Sequence, residues 1–200
     1  MSAIWFSGDW HYGHKNIVLG CSTWEDKTAC RNFQTLQEHN DTLIQNINNN
    51  CKRSDIIYFL GDWSFGGKDN VEKFRHKINC KNIHLIFGNH DLHIKKNYNN
   101  CQSLFNSCNE INYKKIGNDN FVMCHYAMRT WDRAHHGSIM LYGHSHGTLP
   151  AYSRNGNFYK TMDVGIDTHF EFRPYHIDEI RDIMSNRNTL NIDDYDKNTN

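Results

Sequence analysis

Six short apolar runs punctuate an otherwise polar chain. They are Ala3 to Ser7, Ile56 to Leu60, Ile83 to Phe87, Asn120 to Cys124, Ile139 to Tyr142 and Phe158 to Val164. Their length and their β-branched and aromatic content predict strands. Between them the period changes. Phe33, Leu36, Leu43, Ile44 and Ile47 recur at helical spacing, as do Val71, Phe74 and Ile78, and later Ile177, Ile180 and Met184. Alternating strand and helix patterns predict a layered α/β or α+β fold. No internal repeat or composition shift marks a second domain. One domain is expected over residues 1–185, followed by a loose, acidic, Asn-rich polar tail over 186–200.

The residues that follow the runs are unusual. Gly8-Asp9-Trp10-His11 follows the first, Gly61-Asp62 the second and Gly88-Asn89-His90-Asp91 the third. His125 follows the fourth, and Gly143-His144-Ser145-His146 the fifth. Ligand-binding groups collect at the carboxyl ends of strands in open α/β sheets. Asp9, His11, Asp62, Asn89, His125, His144 and His146 are therefore expected to converge, with the preceding glycines letting the backbone turn and approach closely. Asp9 and His11, two apart, are expected to share one side of an extended segment. One metal ion does not need so many ligands, whereas two ions roughly 3.5–4 Å apart and sharing a carboxylate do. Imidazole, carboxylate and amide donors without a thiolate favour Mn, Fe, Zn or Ni.

Composition narrows the classes. The chain has 200 residues and a mean hydropathy of −0.78, yet 13% of it is aromatic, so it is expected to be globular rather than disordered. Lys+Arg and Asp+Glu balance at 22 each, which gives no global field toward nucleic acid or a membrane surface. No apolar stretch approaches the ~20 residues of a membrane span. The seven cysteines are widely spaced, without a C-x-x-C, and the N-terminus carries no secretory pattern. They are expected to be reduced thiols in a cytoplasmic protein, with Cys124 a small buried hydrophobe.

The ordered set D-W-H (9–11), G-D (61–62), G-N-H-D (88–91), H (125) and G-H-S-H (143–146) resembles the calcineurin-like metallophosphoesterase superfamily. Three further stretches resemble its small bacterial and phage-type branch. These are His11 to Ile17, then His125-Tyr126 with Arg129-Thr130-Trp131, then Met162-Asp163-Val164-Gly165 followed by Phe172-Arg173-Pro174. The resemblance implies a two-sheet β-sandwich flanked by helices. It implies Asp9, His11 and His146 on one metal ion, Asn89, His125 and His144 on a second, and Asp62 between them. It implies His90 as general acid or transition-state stabiliser, oriented by Asp91. The cofactors would be two divalent ions, Mn foremost, with Fe, Zn or Ni as alternatives.

The chemistry agrees. A phosphate ester resists attack because its oxygens are anionic; two cations neutralise them and turn a water into hydroxide near neutral pH. The leaving alkoxide needs a proton, which a histidine is suited to give. A neutral Asn89 adds no negative charge where an anionic substrate must bind. The expected activity is that of a phosphoesterase, with the phosphodiester of a nucleotide, a nucleic-acid end or another small molecule as substrate. Arg129 is the one arginine close in sequence to a ligand motif, and a monoester dianion would want more cationic support. A phosphomonoesterase and a catalytically silent metal-binding scaffold are the alternatives. His14 and Trp10 join Arg129 as candidate substrate contacts. Tyr12 and Trp63 flank ligands, and His135 and His136 share the loop of Arg129. No membrane partner is expected, and the oligomeric state stays open.

Overall fold

Two mixed β-sheets stand face to face in the computed structural model, which describes residues 2–97, 103–154 and 156–190. The first carries β1 (Ile4–Ser7), β2 (Ile56–Phe59), β3 (Asn82–Ile86) and β4 (Ser107–Asn109) side by side and parallel. The edge strand β11 (Tyr175–His176) runs antiparallel to β1. In the second sheet, β6 (Asp119–Cys124), β7 (Ile139–Tyr142) and β10 (Thr161–Asp163) are parallel. β5 (Ile111–Ile116) pairs antiparallel with β6 at its edge. A small ribbon, β8 (Ser153–Arg154) with β9 (Asn157–Phe158), lies apart.

Alternation along the strands divides the core into layers. Phe6, Tyr58, Leu60 and Ile86 from the first sheet meet Phe121, Met123, Ile139 and Leu141 from the second. The intervening residues Trp5, Ile57, Phe59, Ile83 and Leu85 face the other way. There they meet Leu43 and Ile47 of α1 (Leu36–Asn50) and Val71 and Phe74 of α2 (Gly67–Lys77). Helix α1 starts where Thr35 accepts a hydrogen bond from the Glu38 N–H, 3.1 Å away. α3 (Leu92–Lys96) is a short turn of helix after the G-N-H-D motif. α4 (Ile177–Ser185) closes one end of the inter-sheet core with Ile177, Ile180 and Met184. On its other face the second sheet is covered by Trp131, Ala134, Tyr159 and Leu190.

The expected run from Phe158 to Val164 is two strands, not one, because the chain breaks pairing between Phe158 and Thr161. β4, β5 and β11 carry no apolar run to reveal them; β5 is a largely exposed edge with Lys114 and Lys115. Residues 186–190, expected to begin a loose tail, are anchored at Asn188 and Leu190, although Asn186, Asn188 and Thr189 are exposed. The Asn188 N–H donates to the Phe158 carbonyl at 2.7 Å, and Leu190 is buried among Tyr159 and Trp131. The rest of the expected tail, 191–200, lies outside the described residues. The described cysteines form no disulfide, and Cys124 is buried. No helix among the described residues is long and apolar enough to cross a membrane.

Phe59 is fully buried, whereas Phe158 is 50% exposed. Phe59→Ala should lower the free energy of unfolding by about 3–5 kcal/mol in urea titrations, and Phe158→Ala by less than about 0.5 kcal/mol.

Candidate active site

All five motifs meet at the carboxyl ends of β1, β2, β3, β6 and β7. Backbone hydrogen bonds carry the β1–β2 pairing past the strands, from the Asp9 N–H to the Gly61 carbonyl (2.8 Å) and from the His11 N–H to the Asp62 carbonyl (2.9 Å). Gly8 joins the two sheets, donating to the Val164 carbonyl and accepting from the Ile166 N–H, each at 3.0 Å. Asp9 and His11 do converge, but not through strand alternation: their φ angles are 54° and 50°, in the left-handed region. Seven described non-glycine residues have positive φ, and five of them are Asp9, His11, Asp62, His144 and His146. Such conformations cost energy and persist where the surroundings impose them. Two glycines show how tight those surroundings are. A Cβ on Gly61, at φ 94°, would lie 2.5 Å from His125 Nδ1. One on Gly88 would lie 2.2 Å from Asp62 Oδ1.

Candidate donor atoms of Asp9, His11 and His146 lie within 4.8 Å of one another, and so do those of Asp9, Asp62 and His125. Asp62 Oδ2 stands 3.5 Å from His11 Nε2 and 3.6 Å from His125 Nε2. Asn89 Oδ1 is 3.0 Å from His125 Nε2. The His144 ring, exposed, lies 5.0 Å from that of His125, and its backbone N–H donates to both Asp9 oxygens at 3.0 and 2.9 Å.

The hydrogen bonds set the ring tautomers. His125 Nδ1 donates to the Leu60 carbonyl at 2.7 Å, so the neutral ring turns a lone pair toward Asn89 Oδ1 and Asp62 Oδ2. His146 Nδ1 meets Asp167 Oδ2 at 2.5 Å, which frees its Nε2 in the same way. Among the described residues, His11 Nε2 is buried without a hydrogen-bond partner. Lone pairs facing carboxylate and amide oxygens repel one another, and a divalent cation among them would remove that repulsion. The donor set fits such ions. The electrostatics run the same way. Burial, then Asp163 and Asp62, push the Asp9 carboxyl well above its ordinary range. Burial, then Arg31, push the His11 imidazole well below its own.

Three supporting residues carry no sequence signal of their role. Arg31, buried in the loop before α1, grips Asp167 with Nε (2.5 Å) and Nη2 (2.9 Å). It also donates to the backbone carbonyls of Asp9 and Trp10. Burial alone would raise the Asp167 carboxyl, but Arg31 and His146 outweigh it and hold it well below the usual carboxylate range. A continuous line therefore runs from Arg31 through Asp167 to His146. Asp163 fixes the G-H-S-H loop by accepting from Ser145 Oγ at 2.6 Å and the Gly147 N–H at 3.0 Å. Arg31 and Asp167 are 136 positions apart, so no local pattern connects them.

Other expectations need correction. Asp91 does not orient His90. Its carboxylate accepts from the backbone N–H groups of Asp62 (2.8 Å), Gly88 (2.8 Å) and Trp63 (2.9 Å), which ties two motif loops together. Burial, then Asp62, push that carboxyl up to about 7. The exposed His90 is held otherwise: its ring lies 4.7 Å from that of Phe65 and 5.6 Å from that of His11. Trp10 is no substrate contact. It is fully buried, donates to Ser7 Oγ at 2.8 Å and packs on Phe59 and Trp63. Trp63 and Tyr12 are buried with Phe74 in the same layer. His14 does stand at the site. Its Nδ1 is 3.3 Å from His11 Nδ1 and its ring stacks on Phe65 at 3.6 Å. Burial, then His90, hold its imidazole down to about 4. Arg129 is exposed in the loop after β6, and His135 and His136 are exposed and packed on each other.

Asp91→Ala would strand three backbone N–H groups, so thermal or urea unfolding should register a loss of roughly 3 kcal/mol or more. His90→Ala should leave stability within about 0.5 kcal/mol of the parent.

A family model described as the calcineurin-like phosphoesterase superfamily domain matches residues 38–158. That span holds every motif except Asp9 and His11, which the fold brings to the same place. The uncharacterized protein MJ1445 of Methanocaldococcus jannaschii is 37% identical over 93 residues. The aligned region is 46% of this chain and 48% of that protein, so the chain spans about half the length of this relative. Among solved structures, the protein of unknown function AQ665 from Aquifex aeolicus shares the fold. Its TM-score is 0.64 at 15% identity, over 92% of this chain and all of that one. YfcE, a phosphoesterase from E. coli, aligns with a TM-score of 0.41 at 12% identity over 82% of this chain and 78% of its own. The family match covers more than half of the chain and includes the motif loops of four of the five strands, and the chain belongs to the calcineurin-like phosphoesterase superfamily.

Proposed function

We propose that this chain is a two-metal-dependent phosphoesterase that cleaves phosphodiesters of nucleotide-like or other small substrates. One observation carries the reading. The imidazoles of His11, His125 and His146 each have Nδ1 engaged, by His14, the Leu60 carbonyl and Asp167 in turn, which leaves Nε2 as the free donor of each. Asp9, His11 and His146 would hold one ion and Asn89, His125 and His144 the other. Asp62, with Oδ2 nearly equidistant from His11 and His125, would serve both. Such ions, Mn foremost and Fe, Zn or Ni as alternatives, neutralise phosphate charge and supply an activated water.

The chain's own groups supply the rest. With its Nε2 committed, His11 carries its proton on Nδ1 and donates it to His14. His90, exposed at the edge of the cluster and steadied by Phe65, gives a proton to the leaving oxygen. The diester preference follows from the cations. Arg31, the buried guanidinium beside the cluster, is spent on Asp167 and two backbone carbonyls and is no fork for a phosphate dianion. Arg129 remains the candidate for that contact.

Mn-supplemented assays should therefore show faster cleavage of bis-p-nitrophenyl phosphate than of p-nitrophenyl phosphate; the reverse order overturns the diester assignment. Asp62→Ala should lose both ions by elemental analysis. His90→Ala should keep them and lose ~10²–10⁴-fold in turnover, less where the leaving group is a nitrophenolate. Asp167→Ala, which removes the acceptor from His146 Nδ1, should weaken metal binding about 10–100-fold in chelator competition. An unchanged affinity would mean that Asp167 does not set the donor at His146.

A further inference from the structure

On the His146 side of the ligand cluster lies a cavity of about 350 Å³ that the reading above leaves without a task. His146 and Asp167 line it, with Phe33 and Phe172, and Cys30 and Asn32 also border it. Its volume is at the small end of ligand sites, large enough for one ring system and too small for an oligomer. The Phe33 and Phe172 rings lie 5.5 Å apart at 58° and form an angled aromatic wall. The Arg31 guanidinium sits over the Phe172 ring at 5.2 Å, but Asp167 already matches its charge. The cavity therefore offers aromatic surface without net charge, which suits an uncharged planar group better than a second phosphate.

Two details make it a built feature. Phe172 adopts φ 50°, a strained conformation for a bulky residue. It is held there by its N–H to the His169 carbonyl (2.8 Å) and by the Asn46 amide on its own carbonyl (2.9 Å). Strain so secured places the ring against Phe33 and Arg31. Asn32, in the same lining, is exposed, and its amide makes no hydrogen bond among the described residues. It presents a donor and an acceptor together, the pair that reads the edge of a heterocyclic base.

The geometry points to this cavity as the subsite for the base of a nucleoside ester whose phosphorus sits at the ligand cluster. The inference rests on the phosphoesterase reading and deepens it by naming the substrate class. His90 is not among the lining residues, so the nucleoside is the group retained on phosphorus, and the leaving group departs on the His90 side. Phe33 and Phe172 take the face of the base, Asn32 takes its edge, and Ala29 marks the rim.

Two esters with one leaving group test this: the p-nitrophenyl ester of thymidine 5′-monophosphate, and methyl p-nitrophenyl phosphate. Phe33→Ala should raise KM for the thymidine ester about tenfold, the scale of one base–aromatic contact, and leave kcat and the methyl ester unchanged. Ala29→Trp, which fills the cavity from an exposed position, should do the same and serves if Phe33→Ala does not fold. A second readout needs no turnover. Thymidine 5′-monophosphate should shield the half-buried Cys30 from iodoacetamide, read by mass spectrometry against Cys21 as reference, and Ala29→Trp should abolish the shielding. Equal KM changes on both esters, or Cys30 labelling indifferent to saturating nucleotide, overturns the subsite. Failure of the wild type to cleave either ester overturns the phosphoesterase reading instead, and the Cys30 labelling still decides the subsite.

Discussion

Two buried carboxylates, Asp9 and Asp62, sit among imidazole nitrogens where the chain provides little positive charge, and the rest of the molecule is arranged around that concentration of lone pairs. Burial raises the cost of every negative charge there, and Asp163 adds to the repulsion on Asp9. Among the described residues the one buried cation nearby, Arg31, faces the backbone of Asp9 and the carboxylate of Asp167 rather than the cluster itself. Such a concentration of donor atoms could hold divalent cations.

Holding such groups together requires a rigid frame. The frame is the junction of the two sheets, where Gly8 bonds to Val164 and Ile166 and the β1–β2 pairing runs on into the ligand loops. The left-handed backbone at Asp9, His11, Asp62, His144 and His146 goes with the tight turns that aim these side chains at a common centre. Asp91 has the matching structural task. By accepting three backbone N–H groups it locks the G-D turn onto the G-N-H-D turn, and so fixes where Asp62 and Asn89 stand.

Much of this could be read in the sequence because the candidate ligands follow strand-like runs, each in its own short motif. The convergence of Asp9, His11, Asp62, His125 and His146 was legible for that reason, and the two-sheet architecture was implied by the family resemblance that those motifs carry. What could not be read depends on partners distant in the chain or on side-chain direction. Arg31 and Asp167 become a pair only once β1, the loop before α1 and the segment after β10 are folded together. Trp10 sits between Asp9 and His11 in sequence, yet its ring turns inward onto Phe59 and Trp63, and adjacency alone could not say so. Asp91 beside His90 suggested an orienting pair, whereas the turn directs the carboxylate to backbone donors. β5 and β11 were hidden because edge and two-residue strands need no apolar run.

On the proposed reading, one carboxylate, Asp62, would serve two cations at once. Titrating the metal-free wild-type protein with Mn(II) under electron paramagnetic resonance tests it most directly. Two ions should bind per chain, and at saturation the spectrum should be that of an exchange-coupled pair. Binding of a single ion, or of two ions that give only the signal of isolated Mn(II), would contradict it.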